Sequence, residues 1–231
     1  MSLRQHTSQE FEAELESVQQ RILDMGQHVD QVLESSGKAL VAHDSDLAKR
    51  IIVGDPETDS MELEIDHLCM EILARRQPVA GDLRLLTSAL KVVIDLERIG
   101  DLGVSIAERV VELGDSPPLT PYEDLLRMMT TAREMLKEAL AAMKTKDVAG
   151  AYRVIDKDDV VDAYYVQIFN DVLSRMRESP ENVFRATRVQ AISKYVERMG
   201  DHATNIAQRV VFIATGEDIH HALRIHRSDS S

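Results

Sequence analysis

A chain of 231 residues with 40 acidic side chains against 27 Lys and Arg carries a formal charge of -13, which argues against nucleic acid or an anionic membrane surface as the partner, since both need a basic patch. Aromatics are 4% and Trp is absent, while Ala, Leu, Met, Glu and Arg dominate, so the composition predicts an all-α protein. The single Cys69 excludes an intramolecular disulfide. No apolar run approaches the roughly 20 residues of a membrane span, and residues 1–30 lack a signal sequence's basic start and apolar core, so the chain is expected in the cytoplasm without direct membrane insertion.

In chain order, Phe11, Leu15, Val18, Ile22, Met25, Val29, Val32, Leu33 and Leu40 predict a long amphipathic helix over residues 8–42. A turn at 43–46 follows, in which Ser45 or Asp46 can cap a second helix running to about residue 76. Pro56 interrupts that helix and leaves two outcomes open: a kink, or a new helix capped by Asp55 with Pro at its first position. Gln77-Pro78 breaks the chain, and a third helix spans about 79–113 and stops at Gly114. After a linker-like stretch at 115–121, the order returns: helices at about 122–144 and 148–177, a break at Ser179-Pro180, and a last helix ending at Gly216. The predicted architecture is two tandem three-helix bundles, six long helices in all, at 8–115 and 121–216. A polar tail follows at 217–231, whose His220, His221 and His226 share no helical face.

The third and sixth helices carry an internal repeat. Residues 97–111 and 197–211 align without a gap at an offset of 100, with nine of fifteen positions identical, and both open on Glu-Arg-x-Gly-Asp. Leu96, Ile99, Gly103, Ile106, Ala107, Val110 and Leu113 define an inner face of roughly 180°, with Glu97, Asp101 and Glu108 on its shoulder. Gly100 and Gly103 on that face predict the close approach of a neighbouring backbone.

Four acidic pairs at i,i+4 spacing stand out: Asp55 with Asp59, Glu97 with Asp101, Asp158 with Asp162, and Glu197 with Asp201. Forty acidic residues would give about seven such pairs by chance, so one pair means nothing. Position sets these four apart. Measured from the breaks at 77–78 and 179–180, the pairs in each half lie at matching heights, about 20 residues before and after the turn, so each hairpin would gather four carboxylates. Like charges in one groove repel, and something cationic should offset them: either salt bridges from Arg98, Arg198 and Lys157, or metal ions. An oxygen-only donor set suits Mg, Mn, Ca or Fe, and Zn less well. The i,i+3 pair Glu64 and His67 has no counterpart in the second half, so His67 reads as structural, as do Cys69 and the methionines. Glu62, Asp66 and Glu108 extend the acidic stripes and read as solvated face residues.

The two Glu-Arg-x-Gly-Asp segments, Arg76-Gln77-Pro78 followed by Asp82-Leu83-Arg84, the Phe11-x-x-x-Leu15 opening and the tandem acidic pairs resemble the PhoU family over residues 11–218. The resemblance implies a pair of three-helix bundles and a metal-binding signature of Glu or Asp, three residues, then Asp. That signature falls on Asp55 and Asp59, Glu97 and Asp101, Asp158 and Asp162, and Glu197 and Asp201, with multinuclear iron or zinc clusters associated with it. Pro56 beside Asp55 is the departure from the pattern. The resemblance further implies a regulator, not an enzyme, that represses the phosphate-starvation response (the Pho regulon) by acting between the ATPase subunit of a phosphate ABC transporter and a sensor histidine kinase, as a homodimer. Two other readings remain open: a metal-dependent hydrolase or oxidase on a helical bundle, and a metal-free helical interaction module. No Gly-rich phosphate loop, Ser-His-Asp pattern or nucleophilic Cys context is present.

Overall fold

The computed structural model describes residues 3–119 and 122–219, and among these it holds seven α-helices, one 3-10 turn and no strand. They are α1 (Leu3–Ala42), α2 (Ser45–Gly54), α3 (Pro56–Arg76), α4 (Ala80–Leu113), α5 (Glu123–Thr145), α6 (Val148–Glu178) and α7 (Val183–Thr215), with the 3-10 turn Pro180–Asn182 leading into α7. Six long helical arms are present as expected, because α2 and α3 divide one arm. Residues 120 and 121 of the linker and the tail histidines lie outside the described residues.

Local chemistry sets the breaks. Gly114 and Gly216 take positive φ and donate their N–H groups to the carbonyls of Val110 and Phe212, closing α4 and α7 where the sequence places their ends. Gln77 does the same for α3 in the left-handed conformation, donating to Leu73 before Pro78 forbids continuation. Two details differ from expectation. The cap of α2 is Asp44, whose Oδ1 accepts from Leu47 N–H at 2.8 Å, since that hydrogen bond requires the residue three positions earlier, which neither Ser45 nor Asp46 is. At Pro56 the chain takes neither expected form cleanly: Asp55 keeps helical dihedrals (φ -48°, ψ -45°) and makes no side-chain cap, and Thr58 N–H bonds back to Asp55 O. Proline removes a donor but its φ suits the helix, so the break is a tight joint that leaves the Asp55 carboxylate free of capping duty.

α3 and α4 form one antiparallel hairpin and α6 and α7 the other. The hairpins join through α4 and α7, which run antiparallel: Arg84 lies beside Gly216, Asp95 beside His202 and Glu112 beside Arg188. Because the two motif copies cross in opposite directions with reciprocal registers, the halves are related by a local two-fold. α1 covers α3 and α4, α5 covers α6 and α7, and α1 and α5 also touch, held by Arg133 on Asp30 (2.8 Å) and Glu34 (3.0 Å). The apolar core runs unbroken from Val18, Ile22 and Met25 through Leu96 and Ile106 to Met128, Met135, Val196 and Ile206. The two three-helix halves thus share one continuous apolar core.

The predicted inner face of α4 is buried throughout. A Cβ on Gly103 would lie 3.0 Å from Val32 Cγ1 and Leu33 Cδ2, and its carbonyl accepts from the buried Ser36 hydroxyl, so α1 does approach as expected. Gly100 instead faces the Thr58 side chain of α3.

Candidate functional site

The α3–α4 hairpin brings Asp59, Glu97 and Asp101 together: one carboxylate oxygen from each lies within 4.8 Å of the other two. Two oxygens bound to one cation at about 2.0–2.6 Å can be no more than about 5 Å apart, so this trio has the spacing of shared ligands. Asp55 joins it from the joint before Pro56. Burial raises its pKa first, and the charges of Asp101, Asp59 and Glu108 raise it further. Glu97 is pushed up to about 7, by burial first and then by Asp101. Glu62 is raised likewise, by burial and then by Asp66 and Asp59.

The α3 side of the centre is thus a stripe of four carboxylates, Asp55, Asp59, Glu62 and Asp66, and reading Glu62 and Asp66 as solvated face residues is corrected. Both are half-buried, and Asp66 Oδ1 is fully enclosed. The available signal was their own four-residue spacing, the same as that of Glu97 and Asp101. Nearby Glu64 turns to Arg21 at 2.8 Å and His67 is exposed. Cys69 is fully buried, its thiol pushed up to about 12 by that burial, and is inert.

In the α6–α7 hairpin, Asp158 is buried with Oδ1 at 3.0 Å from where a Gly200 Cβ would stand. Asp201 is pushed up to about 6, by burial first and then by Glu197, Asp158 and Asp162, so the other three predicted residues of this half all act on it. The repeat is not copied residue for residue. Gly200 faces Asp158, but Gly100 faces Thr58, which makes Thr58 and Glu62 the positional equivalents of Asp158 and Asp162. Asp55 and Asp59 stand three residues, about 4.5 Å, nearer the start of their arm.

Of the expected salt-bridging cations, Arg98 reaches Glu97 at 3.3 Å and Asp101 at 3.4 Å. Its side chain is 54% exposed, where such pairs contribute little. Lys157 instead turns to Glu138 and Glu134 on α5. A cation that the sequence reading missed, Lys194, lies 2.6 Å from Glu197. Burial depresses its pKa, but Glu197 and Asp201 outweigh this and hold the ammonium charged. Against these partners stand enclosed oxygens with no hydrogen bond: Asp55 Oδ1, Asp66 Oδ1 and Glu197 Oε2. Orphaned oxygens, an all-carboxylate donor set and shared-ligand spacing fit bound hard or borderline cations.

A family model described as the PhoU domain matches the chain twice, over residues 22–110 and 125–210. The chain belongs to the PhoU family. It is 39% identical over 223 residues to the phosphate-specific transport system accessory protein PhoU homolog of Pseudomonas putida, covering 95% of this chain and 86% of that protein. It is 34% identical to the phosphate-specific transport system accessory protein PhoU of Escherichia coli, covering 96% and 92%. The fold matches the crystal structure of PhoU from Pseudomonas aeruginosa with a TM-score of 0.86 at 36% identity, covering 90% of this chain and all of that one. It also matches the phosphate transport system regulatory protein PhoU from Streptococcus pneumoniae, with a TM-score of 0.85 at 29% identity, covering 90% and 98%. Each PhoU-domain match encloses one of the carboxylate centres. Among the described residues, no helix is long and apolar enough to cross a membrane.

Proposed function

We propose that this PhoU-family chain is a cytoplasmic accessory protein of a phosphate transport system. In this reading it represses the phosphate-starvation genes when phosphate is plentiful, linking the transporter's ATPase subunit to a sensor histidine kinase as a homodimer, and acts by binding rather than catalysis. The names of its relatives support the phosphate context. The observation that carries the metal part is the convergence of Asp59, Glu97 and Asp101 beside the orphaned oxygens of Asp55 and Asp66. Those residues, with Asp158, Asp162, Glu197 and Asp201 in the other half, would hold Fe, Mn, Mg, Ca or Zn ions. Bound there, the ions supply positive charge that locks each hairpin's two arms at one spacing, and so fixes the surface offered to partners.

Alanine at Glu97 and Asp101 together with Glu197 and Asp201 should spare the helices, Ala being the best helix former, and abolish the response. A strain carrying that quadruple variant is expected to express its phosphate-starvation genes in high phosphate; normal silencing would overturn the reading. The ion pairs of Arg98 and Lys194 favour a second reading, a metal-free interaction module. Elemental analysis of untagged protein separates the two: metal at one or more equivalents supports the first, and a metal-free chain at neutral pH the second.

A further inference from the structure

Each centre already holds a half-exposed cation, and the two differ in kind and closeness: Arg98 lies 3.3 Å from Glu97 and 3.4 Å from Asp101 in the first, and Lys194 lies 2.6 Å from Glu197 in the second. Both motif copies carry an arginine, Arg98 and Arg198, but three residues ahead of the second copy position 194 is Lys, where its repeat equivalent is Ile94, 47% exposed. Lys194 is fixed at both ends of its reach, its Nζ 2.6 Å from Glu197 Oε1 and 5.3 Å from the ring centroid of Tyr165, whose equivalent is Ile65. The acids differ as well. Asp55, Asp66 and Glu108 of the first centre are matched by Ile155, Val166 and Gln208 in the second. Among the described residues, the α3–α4 trio is the group that brings three carboxylate oxygens within common-ligand distance.

Resting on the metal reading above, we propose that the centres are not equivalent: the α3–α4 centre is the tight divalent-cation site, and the α6–α7 centre carries a resident ammonium, Lys194, that an incoming cation must displace. Lys194 is an internal competitor, so the second centre fills after the first and empties before it. Even with the solvent screening that a half-exposed side chain feels, an ammonium within about 4 Å of a divalent ion opposes it enough to weaken its binding by roughly tenfold or more. A hairpin that exchanges its cation more readily than its partner makes one half of the molecule responsive while the other stays rigid.

The test uses the full chain, stripped by chelator and titrated with Mn2+ by calorimetry, with electron paramagnetic resonance counting free ion. Wild type is expected to show two classes of site separated by roughly tenfold or more. Lys194→Ile, which installs the residue of the first half, should tighten the weak class by roughly tenfold, and Ile94→Lys should weaken the tight class by a similar factor. Positions 94 and 194 are both about half exposed, so neither change disturbs the core, and circular dichroism checks this. Two classes of equal affinity, or a weak class indifferent to Lys194→Ile, would overturn the inequivalence while leaving metal binding intact. No Mn2+ binding at either centre would overturn the metal reading itself, and this inference with it.

Discussion

Glu97 and Asp201 carry the largest electrostatic consequence at the scale of single residues. Both have folded-state pKa values above those of the unfolded chain, about 7 and about 6, so the folded protein holds protons that the unfolded chain releases. The stability they contribute is complete below about pH 4 and is lost as the pH rises through 6 and then 7. Glu14, Asp30 and Glu34 are shifted the other way by Arg76, Arg133, Lys137 and Lys38, but carboxyls with lowered pKa titrate below that window. Metal-stripped protein should therefore melt at a higher temperature at pH 5 than at pH 8 in scanning calorimetry. A melting temperature flat or rising over that range would contradict the assignment. Saturating Mn2+ at pH 7.5 should raise the melting temperature, because an ion bound only to the folded state stabilises it by mass action.

Contacts between elements turn on small residues. α1 can lie against α4 because Gly103 offers no Cβ to Val32 and Leu33, and because Ser36 donates to the Gly103 carbonyl at 2.9 Å. Gly103→Leu should overpack this contact and cost about 1–3 kcal/mol, read as a lower midpoint in urea. Gly54, at the end of α2, is the control: nothing lies within 4 Å of its would-be Cβ, so Gly54→Ala should stabilise by about 0.5–1 kcal/mol. Equal effects of the two substitutions would show that helix propensity, not the approach of α1, decides at residue 103.

At the scale of the whole molecule, the antiparallel meeting of α4 and α7 and the contact of α1 with α5 bind the halves into one body. A fragment covering residues 1–116 would expose the apolar faces that α5 and α7 cover. It would also lose the partners of Asp30, Asp95 and Glu112, which are Arg133, His202 with Asn205, and Arg188. The fragment should show helical circular dichroism, with a broad, low-temperature melt or self-association detectable by sedimentation. A sharp monomeric transition close to that of the full chain would mean that each half is self-sufficient.

The sequence by itself determined what depends on neighbours along the chain. Helix spans followed from apolar periodicity, and their ends from Pro78, Gly114, Pro180 and Gly216, because the 3.6-residue turn and the φ preferences of Gly and Pro are local properties. The shared height of the acidic stretches in each hairpin was legible for the same reason, since a fixed rise per residue converts distance from the turn into position along the axis. What the tertiary structure decided is rotation and company. The roll of α3 against α4 sets Thr58, not an acid, on Gly100 and turns Glu62 and Asp66 inward, which depends on how side chains interlock across the pair. The seating of the Lys194 ammonium on the Tyr165 ring of α6 likewise exists only once the helices are packed, whereas its pairing with Glu197, three residues on along α7, is local. The merging of two repeats into one core was hidden because a helix's periodicity reports which residues it buries and not which partner buries them.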